Sequence, residues 1–280
     1  MPIKIAGESL NACSGCEISI LDMGEKFLTL LKFADIVHLP LLMDSKGRGH
    51  DPHEFKLPEA DVGLVSGGIP AMANSCRNEE LLFGRSGAGS TDREENFQSG
   101  LVPDLLSACS ALDEHIHVDI RLPGCPPHPD HIFRALESIE KKQAFPMPEK
   151  SVCDHCPAAR KGKGLAKKMK RVLDLPEWKT RENPDRPMEC FLDQGFVCLG
   201  PVTRNGCGGD GGLARCILAK VPCTGCYGPV TDDGNQRLAM LNALASNGID
   251  LSALPETLSW LRFSGGHGRL RPLPRIKEGK

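Results

Sequence analysis

Apolar and polar residues alternate in a way that predicts an α/β domain in the first half of the chain. Ile3 and Ile5 alternate with polar neighbours in a short strand, and apolar residues then recur at helical spacing between Ile18 and Leu31. Apolar strands follow over 34–42 and 60–66, and the polar segment 44–58 between them predicts a loop. This order of elements is typical of an open parallel sheet with crossover helices.

A second alternating stretch precedes a predicted helix. From His115 to Leu122, apolar and polar residues alternate strictly, which predicts a half-buried strand. A helix is predicted next, because Pro129 suits a first helical turn and apolar residues then share one face, namely Ile132, Leu136 and Ile139. Sites in open parallel sheets gather at the carboxyl ends of strands. We therefore expect Cys13, Cys16 and Cys125 at one edge of the sheet.

The C-terminal half contains a cysteine-rich segment with few apolar residues. Six cysteines lie between Cys190 and Cys226, with glycines throughout, so we expect metal bonding to order the segment in place of an apolar core. Further along, a packing face is predicted for a helix that carries Leu238, Leu241, Leu244 and Ala245.

Composition and charge narrow the classes of function. The formal net charge of −2 gives no electrostatic reason to expect nucleic acid or an anionic membrane as a partner. No apolar run reaches membrane-spanning length, so no membrane span is expected. The chain starts on a predicted strand without a leader sequence, and we therefore expect a cytoplasmic protein.

Thirteen cysteines in a reducing compartment favour metal binding over disulfides. Three pairs have the C-x-x-C spacing, which zinc and iron–sulfur sites both use: Cys13/Cys16, Cys153/Cys156 and Cys223/Cys226. Prolines directly after Cys125 and Cys156 favour iron–sulfur clusters, as in ferredoxin-like sites. A structural zinc protein is the alternative interpretation.

Two further features have both a functional and a plain interpretation. Glu17, next to Cys16, is predicted either to help proton passage or simply to favour the first turn of a helix. A basic run between Arg160 and Arg171, on a predicted helix, either docks an acidic redox partner or is a solvated helix face.

At this point the motifs resemble a known family. The stretches that carry the resemblance are Cys13-Ser14-Gly15-Cys16-Glu17, Leu122-Pro123-Gly124-Cys125-Pro126-Pro127 and the series from Cys190 to Cys226. Together they resemble the small subunit of nickel–iron hydrogenases of the cytoplasmic methyl-viologen-reducing (F420-non-reducing) type, over about residues 1–230. The resemblance implies a flavodoxin-like parallel-sheet domain over 1–148 and a small, irregular, ferredoxin-like iron–sulfur domain over 149–230. C-terminal helices and an irregular tail would fill 231–280.

The resemblance also implies three [4Fe-4S] clusters. The medial cluster would be held by Cys207, Cys216, Cys223 and Cys226. The distal cluster would be held by Cys153, Cys156, Cys190 and Cys198. Three ligands of the proximal cluster, the one nearest the large subunit, would be Cys13, Cys16 and Cys125.

The fourth proximal ligand departs from the family pattern. The family carries it in a Gly-Ser-Cys-Ala turn before Gly-Gly-Ile-Pro, whereas here Gly67-Gly68-Ile69-Pro70 follows Gly63-Leu64-Val65-Ser66 without a cysteine. The candidate substitutes, in order of preference, are Cys76, Asp61 and Cys109. If none of them reaches the site, only two clusters are expected.

The function implied by the resemblance is electron transfer. Electrons from hydrogen oxidation at a separate [NiFe] large subunit would pass through the clusters to an iron–sulfur or flavin acceptor subunit, feeding heterodisulfide reductase in methanogenesis. The chain would be part of an enzyme without an active site of its own. The first alternative is a repurposed hydrogenase-like relay or scaffold that lacks an intact proximal cluster and serves another catalytic subunit. The related complex I subunit is the weaker alternative, because its single cluster leaves most C-terminal cysteines unexplained.

Overall fold

A computed structural model describes residues 2–10, 12–43, 57–67, 112–162, 166, 169–170, 187–231 and 235–253 of the 280-residue chain. The strands in these ranges are β1 (Ile3–Ser9), β2 (Ala34–His38) and β3 (Val62–Ser66). The α-helices are α1 (Gly15–Leu21), α2 (Glu25–Leu30), α3 (Pro129–Glu140), α4 (Arg215–Leu218) and α5 (Gln236–Ser246). Short 3-10 helices span Leu112–Glu114, Val152–His155, Gly200–Val202 and Leu251–Ala253.

The three strands form a parallel sheet in the order β2-β1-β3. In the pairing of β1 with β3, Ile5 lies opposite Val62 and Ser9 lies opposite Ser66. The order 2-1-3 is how a flavodoxin-like sheet, 2-1-3-4-5, begins. The predicted α/β fold class is confirmed.

The helical segment after β1 is divided in two. The sequence pattern predicted one helix between Ile18 and Leu31, but α1 ends at Leu21 and α2 begins at Glu25. Gly24 separates them with φ of 59°, a left-handed conformation that glycine adopts without a steric penalty. The apolar residues of both helices keep helical spacing, so periodicity alone did not reveal the break.

The strand predicted over 115–122 is wrong. The structure assigns no strand to these residues, and the side chain of Ile116 is 53% exposed. A strand needs the backbone groups of a neighbouring strand, and none of the three described strands pairs with this segment. Instead, the Arg121 guanidinium lies 2.7 Å from the carboxylate of Asp113 and ties the segment to the preceding 3-10 turn.

The helix predicted after Cys125 is confirmed as α3. Pro129 is its first residue, and the His128 imidazole caps it by accepting a hydrogen bond from the Asp130 amide at 3.2 Å. The apolar face of α3 packs with α1 and α2 against the sheet, and its buried members are Ile132, Ala135 and Leu136. This packing brings Cys125, just before α3, toward the carboxyl end of β1.

The cysteine-rich segment has a larger apolar core than the sequence suggested. A second apolar cluster buries Phe191, Leu192, Phe196 and Leu199 between the cysteines, together with residues from α4 and α5. These apolar residues come from distant positions in the chain, so the core forms only when the segment folds back on itself. Thiol chemistry is therefore not the only source of order here.

The face by which α5 packs differs from the predicted one. Of the predicted face, Leu244 is buried as expected, whereas Leu238 is 56% exposed. Gln236 and Met240 are the other buried residues of the helix. The buried residues are four apart and lie on one side of the helix, which faces the second apolar cluster. None of the helices in the described ranges is long and apolar enough to cross a membrane.

Candidate iron–sulfur sites

The proposed proximal cysteines meet at the carboxyl end of β1. Cys13 lies in the loop after β1, Cys16 lies in the first turn of α1, and Cys125 lies in the loop before α3. The pKa of the Cys16 thiol is raised to about 11, first by burial and then by the charges of Glu17, Cys125 and Cys13. Burial and the charge of Cys13 likewise raise the pKa of Cys125. The three thiols therefore share one environment.

The structure does not bring Asp61 to these cysteines. The Asp61 carboxylate accepts a hydrogen bond from the Lys4 amide at 2.8 Å, near the amino end of β1. Five residues separate Asp61 from Ser66 along β3, or about 16 Å of strand. Parallel register thus puts the carboxylate at the wrong end of the sheet, and the prediction of Asp61 as a ligand is corrected. Cys76 and Cys109 lie outside the described residues.

A buried carboxylate lies beside the proximal cysteines instead. Glu17 is 7% exposed, and its Oε1 accepts a hydrogen bond from the Ser66 hydroxyl at 2.6 Å. The Ser66 hydroxyl also lies 2.8 Å from that of Ser9, at the carboxyl ends of β3 and β1. Burial raises the pKa of Glu17, but hydrogen bonds from Ser66, its own backbone and Ser9 outweigh burial, and the pKa is lowered overall. The sequence showed Glu17 but not this network.

The proposed distal cysteines surround a short 3-10 turn. Cys153 lies in the turn Val152–His155, which begins with a capping box formed by Ser151 and Asp154. A side-chain carbon on Gly200 would lie 3.1 Å from the sulfur of Cys153 and 3.5 Å from that of Cys198, so glycine allows this close approach. Burial, followed by the charges of Cys198, Cys156 and Cys190, raises the pKa of Cys153 to about 12. The predicted distal set is brought together.

The proposed medial cysteines form two hydrogen-bonded pairs. In the pair Cys207 and Cys226, the hydrogen bond between the thiols lowers the pKa of Cys207 and raises that of Cys226. In the pair Cys216 and Cys223, the hydrogen bond lowers the pKa of Cys216 and raises that of Cys223. The charge of Cys207 also raises the pKa of Cys216, and the charge of Cys216 raises that of Cys226, so all four sulfurs belong to one group.

The medial segment rests on α3 through a histidine and a tyrosine. Tyr227, next to Cys226, accepts a hydrogen bond from the His128 amide at 2.6 Å, and its hydroxyl lies 3.4 Å from Nδ1 of His131. Gly206 has φ of 119°, and a side-chain carbon there would lie 2.5 Å from His131. Only glycine permits this contact, which sets the segment carrying Cys207 against α3.

The three cysteine groups adjoin one another in a defined order. His128, three residues after Cys125, donates a backbone hydrogen bond at 2.6 Å to Tyr227, the residue after Cys226, and the charge of Cys125 raises the pKa of Cys226, so the proximal group adjoins the medial group. The Cys223 amide donates a hydrogen bond to the sulfur of Cys198, with 3.3 Å between nitrogen and sulfur, so the medial group adjoins the distal group. The medial group therefore lies between the other two.

Each of the three groups supplies thiols, the donor that iron–sulfur clusters require. Within the described ranges, no three His, Cys, Asp or Glu side chains converge on the position of one metal ion. The sulfur of Cys198 also accepts from the backbone amides of Gly200 and Cys223, as cluster-bound sulfurs do.

Two basic residues of the segment 160–171 are paired with side chains of this chain. Arg160 donates a hydrogen bond to the side-chain oxygen of Asn247 at 2.6 Å, and Lys161 lies 2.9 Å from the carboxylate of Glu189. Those residues of the 160–171 segment that are described include no helix. Residues 163–165, 167–168 and 171 of the predicted helix lie outside the described residues, and the amide of Lys170 donates to the carbonyl of Gly195 at 2.6 Å.

Relatives of the chain are components of hydrogenases. It is 30% identical over 288 residues to a subunit of the vhu F420-non-reducing hydrogenase of Methanocaldococcus jannaschii, covering 94% of this chain and 95% of that protein. It is 30% identical over 299 residues to an iron-sulfur subunit of the F420-non-reducing hydrogenase of Archaeoglobus profundus, covering 88% of each. Residues 65–139 match the family described as NADH ubiquinone oxidoreductase, 20 Kd subunit.

Solved structures also include distant hydrogenase matches. The reduced, active Ni-Fe-Se hydrogenase from Desulfomicrobium baculatum is 18% identical, with a TM-score of 0.42, over 84% of this chain and 97% of that one. The family assignment rests on the sequence relatives, whose matches run through nearly the whole chain. The chain belongs to the family of F420-non-reducing hydrogenase iron–sulfur subunits, and as such it is a component of an oxidoreductase complex.

Proposed function

We propose that this chain is the electron-transfer small subunit of a [NiFe] hydrogenase and holds three [4Fe-4S] clusters. The clusters would carry electrons from hydrogen oxidation at a separate large subunit to an acceptor subunit. The proposal assigns Cys13, Cys16 and Cys125 to the proximal cluster. It assigns the two remaining groups of four cysteines to the medial and distal clusters.

The observation that carries this proposal is the order of the three cysteine groups. Cys125 adjoins Cys226, and Cys223 is hydrogen bonded to Cys198. Such an arrangement suits a relay, because each group has a neighbour to receive or deliver an electron. Independent structural metal sites do not require this arrangement, because nothing passes from one site to the next.

The residues of this chain have three tasks in the proposed relay. Bound iron–sulfur clusters supply one-electron carriers. The chain holds their iron through thiolates, fixes the spacing between groups, and sets the reduction potentials through hydrogen bonds to sulfur and through burial. Cys198 is 7% exposed and accepts two backbone hydrogen bonds, so it combines both means of tuning the potential.

The names of the relatives support the proposed partners. Those names describe subunits of F420-non-reducing hydrogenases, which are multi-subunit enzymes, so we propose a [NiFe] large subunit as the partner at the proximal site. The proposed acceptor is an iron–sulfur or flavin subunit that feeds heterodisulfide reductase, as part of methanogenesis in the cytoplasm. The organisms of several relatives, including Methanocaldococcus jannaschii, are consistent with that setting.

A second candidate function is a repurposed relay without a complete proximal cluster. It is favoured by one observation in the sequence: no cysteine stands in Gly63-Leu64-Val65-Ser66, before Gly67-Gly68-Ile69-Pro70, where the family places the fourth ligand. Such a protein would retain the medial and distal clusters and serve another catalytic subunit.

The test is a count of iron, zinc and acid-labile sulfide per chain. The protein is purified anaerobically with its copurifying large subunit, whose own metal is subtracted. We expect about twelve irons and no stoichiometric zinc, as three four-iron clusters require. About eight irons would support the repurposed relay, and zinc without sulfide would overturn both functions.

A further inference from the structure

Glu17 has a carboxylate oxygen that no group in the described part of the chain satisfies. Its Oε1 accepts the hydrogen bond from Ser66, but its Oε2 is buried and has no hydrogen-bond partner among the described residues. Buried polar atoms in folded proteins nearly always have a partner. A ligand bound beside the described residues would supply the missing partner of this oxygen.

The position of this oxygen fits the proximal site. Glu17 directly follows Cys16 in the first turn of α1, and its charge is the second-largest cause, after burial, of the raised pKa of the Cys16 thiol. Ser66 ends β3 at the same edge of the sheet. The carboxylate is thus held among the elements that carry the proximal cysteines.

Other groups at this edge are already engaged. The Ser66 hydroxyl bonds both Glu17 and Ser9, and the Glu8 carboxylate lies 3.0 Å from Nε2 of His38. Asp61 lies at the opposite end of β3. Among the described side chains at this edge, Glu17 is the one with a free, buried acceptor atom.

We infer that Oε2 of Glu17 is the fourth ligand of the proximal cluster and binds one iron beside the thiolates of Cys13, Cys16 and Cys125. The inference rests on the proposed function, since it requires a cluster at this site. In this arrangement the Ser66 hydroxyl orients the carboxylate through Oε1 and leaves Oε2 directed to iron.

An oxygen ligand has a chemical consequence. Iron–sulfur clusters favour soft thiolate ligands, and a carboxylate is a harder ligand. The iron bound by Glu17 is therefore the most labile of the cluster. Ferricyanide accepts one electron from the cluster, the iron bound by Glu17 leaves as Fe2+, and a three-iron cluster with a characteristic EPR signal remains.

The experiment compares five forms of the complete small and large subunit complex, purified anaerobically. They are the wild type, Glu17→Gln, Glu17→Cys, Glu8→Gln and Cys76→Ser. Glu8→Gln is the matched control, because it changes a neighbouring carboxylate at the same edge. Iron and sulfide per chain are measured, and EPR spectra are recorded before and after ferricyanide.

We expect about twelve irons in the wild type, Glu17→Cys, Glu8→Gln and Cys76→Ser, and about eleven with a three-iron signal in Glu17→Gln. After ferricyanide, the wild type gains the three-iron signal and Glu17→Cys does not. If Glu17→Gln does not fold, the comparison of the wild type with Glu17→Cys after ferricyanide is the deciding test. Equal three-iron EPR signals in these two forms would overturn the inference.

Two outcomes separate the inference from the proposed function. Twelve irons in both the wild type and Glu17→Gln, without a three-iron signal, would overturn the inference alone, and a loss of iron in Cys76→Ser would then identify Cys76 as the ligand. About eight irons in the wild type would overturn the three-cluster function and the inference with it.

Discussion

The backbone amide of Cys223 donates a hydrogen bond to the sulfur of Cys198, across 3.3 Å. In return, the amide of Leu199 donates to the carbonyl of Cys223 at 2.9 Å. These bonds join the proposed medial and distal groups through one short contact, although 25 residues separate the two cysteines. A change at one group is therefore transmitted to the other.

Replacing Cys198 tests this connection. Cys198→Ser is expected to lose the distal cluster, about four irons, and also to change the EPR spectrum of the medial cluster, because the amide of Cys223 loses its sulfur acceptor. Cys153→Ser is the control, since no amide of the described medial residues donates to its sulfur. We expect the same loss of iron but an unchanged medial spectrum, and identical medial spectra in both variants would refute the coupling.

Gly200→Ala tests the close approach at the distal group. The added carbon would lie 3.1 Å from the sulfur of Cys153, so the thiol must shift. Overpacking of this kind costs about 1–3 kcal/mol, and we expect a lower Tm of the anaerobic complex and a weaker distal EPR signal. Gly63→Ala is the control because nothing in the described structure lies within 4 Å of the new carbon. Equal Tm values for the two variants would contradict the prediction.

Cys216→Pro tests the medial assignment. Cys216 is the second residue of α4, and the first amides of a helix have no intrahelical partner, so proline is tolerated there. Removing one thiolate of four is expected to lower the iron content by about one per chain and convert the medial cluster to a three-iron form. The measurement is EPR of the oxidised complex, and an unchanged cluster signal would refute the assignment. Cys216→Ala, which removes the thiolate without proline, is the matched control for backbone effects.

His131 is expected to make the fold sensitive to acid. It is 1% exposed, and its pKa is lowered first by burial and then by the charges of Arg134 and His128. Asp210 and Asp130 oppose this shift more weakly. Because the unfolded chain binds the proton more readily, the contribution of His131 to stability is present above the unfolded pKa of about 6.5 and is lost as pH falls through the lower folded pKa.

The measurement for His131 is Tm between pH 7.5 and pH 5. His131→Phe suits an environment that already contains Phe145 and Tyr227, and it is expected to reduce the loss of Tm on acidification. His117→Phe is the control, because the His117 side chain is 86% exposed. Acid lability of bound clusters affects all forms equally. A difference between the two variants in the loss of Tm on acidification is therefore due to His131. Parallel Tm curves for both would rule out the role of His131.

Sequence patterns correctly predicted the elements that depend mainly on residues close together in the chain. α3 was predicted from Pro129 and the spacing of Ile132 and Leu136, because helical hydrogen bonds join residues four apart in the chain. β1 was predicted from the alternation of Ile3 and Ile5 with polar neighbours, and β3 from a short apolar run. The strand predicted from Ile116 failed because a strand depends on a distant partner, and the break at Gly24 was missed because both helices keep the same period.

Some features of the candidate site were likewise predictable from the sequence, and others were not. The cysteine spacings within each C-x-x-C pair are visible in the sequence, and the family resemblance they carry is confirmed by the relatives. The grouping of cysteines into clusters stays a prediction. Asp61 was a reasonable candidate by sequence position, but only strand register shows that it lies at the other end of β3.

By itself, the sequence determined the α/β class, the helix after Cys125 and the set of thiols available for iron, because residue identity and short-range periodicity are enough for each. Only the tertiary structure decided that Cys198 meets Cys223, that Cys125 adjoins Cys226 and that Oε2 of Glu17 is buried without a partner among the described residues. Contacts between distant residues depend on strand register and on how apolar faces pack. These are properties of the whole folded chain, and no local pattern records them.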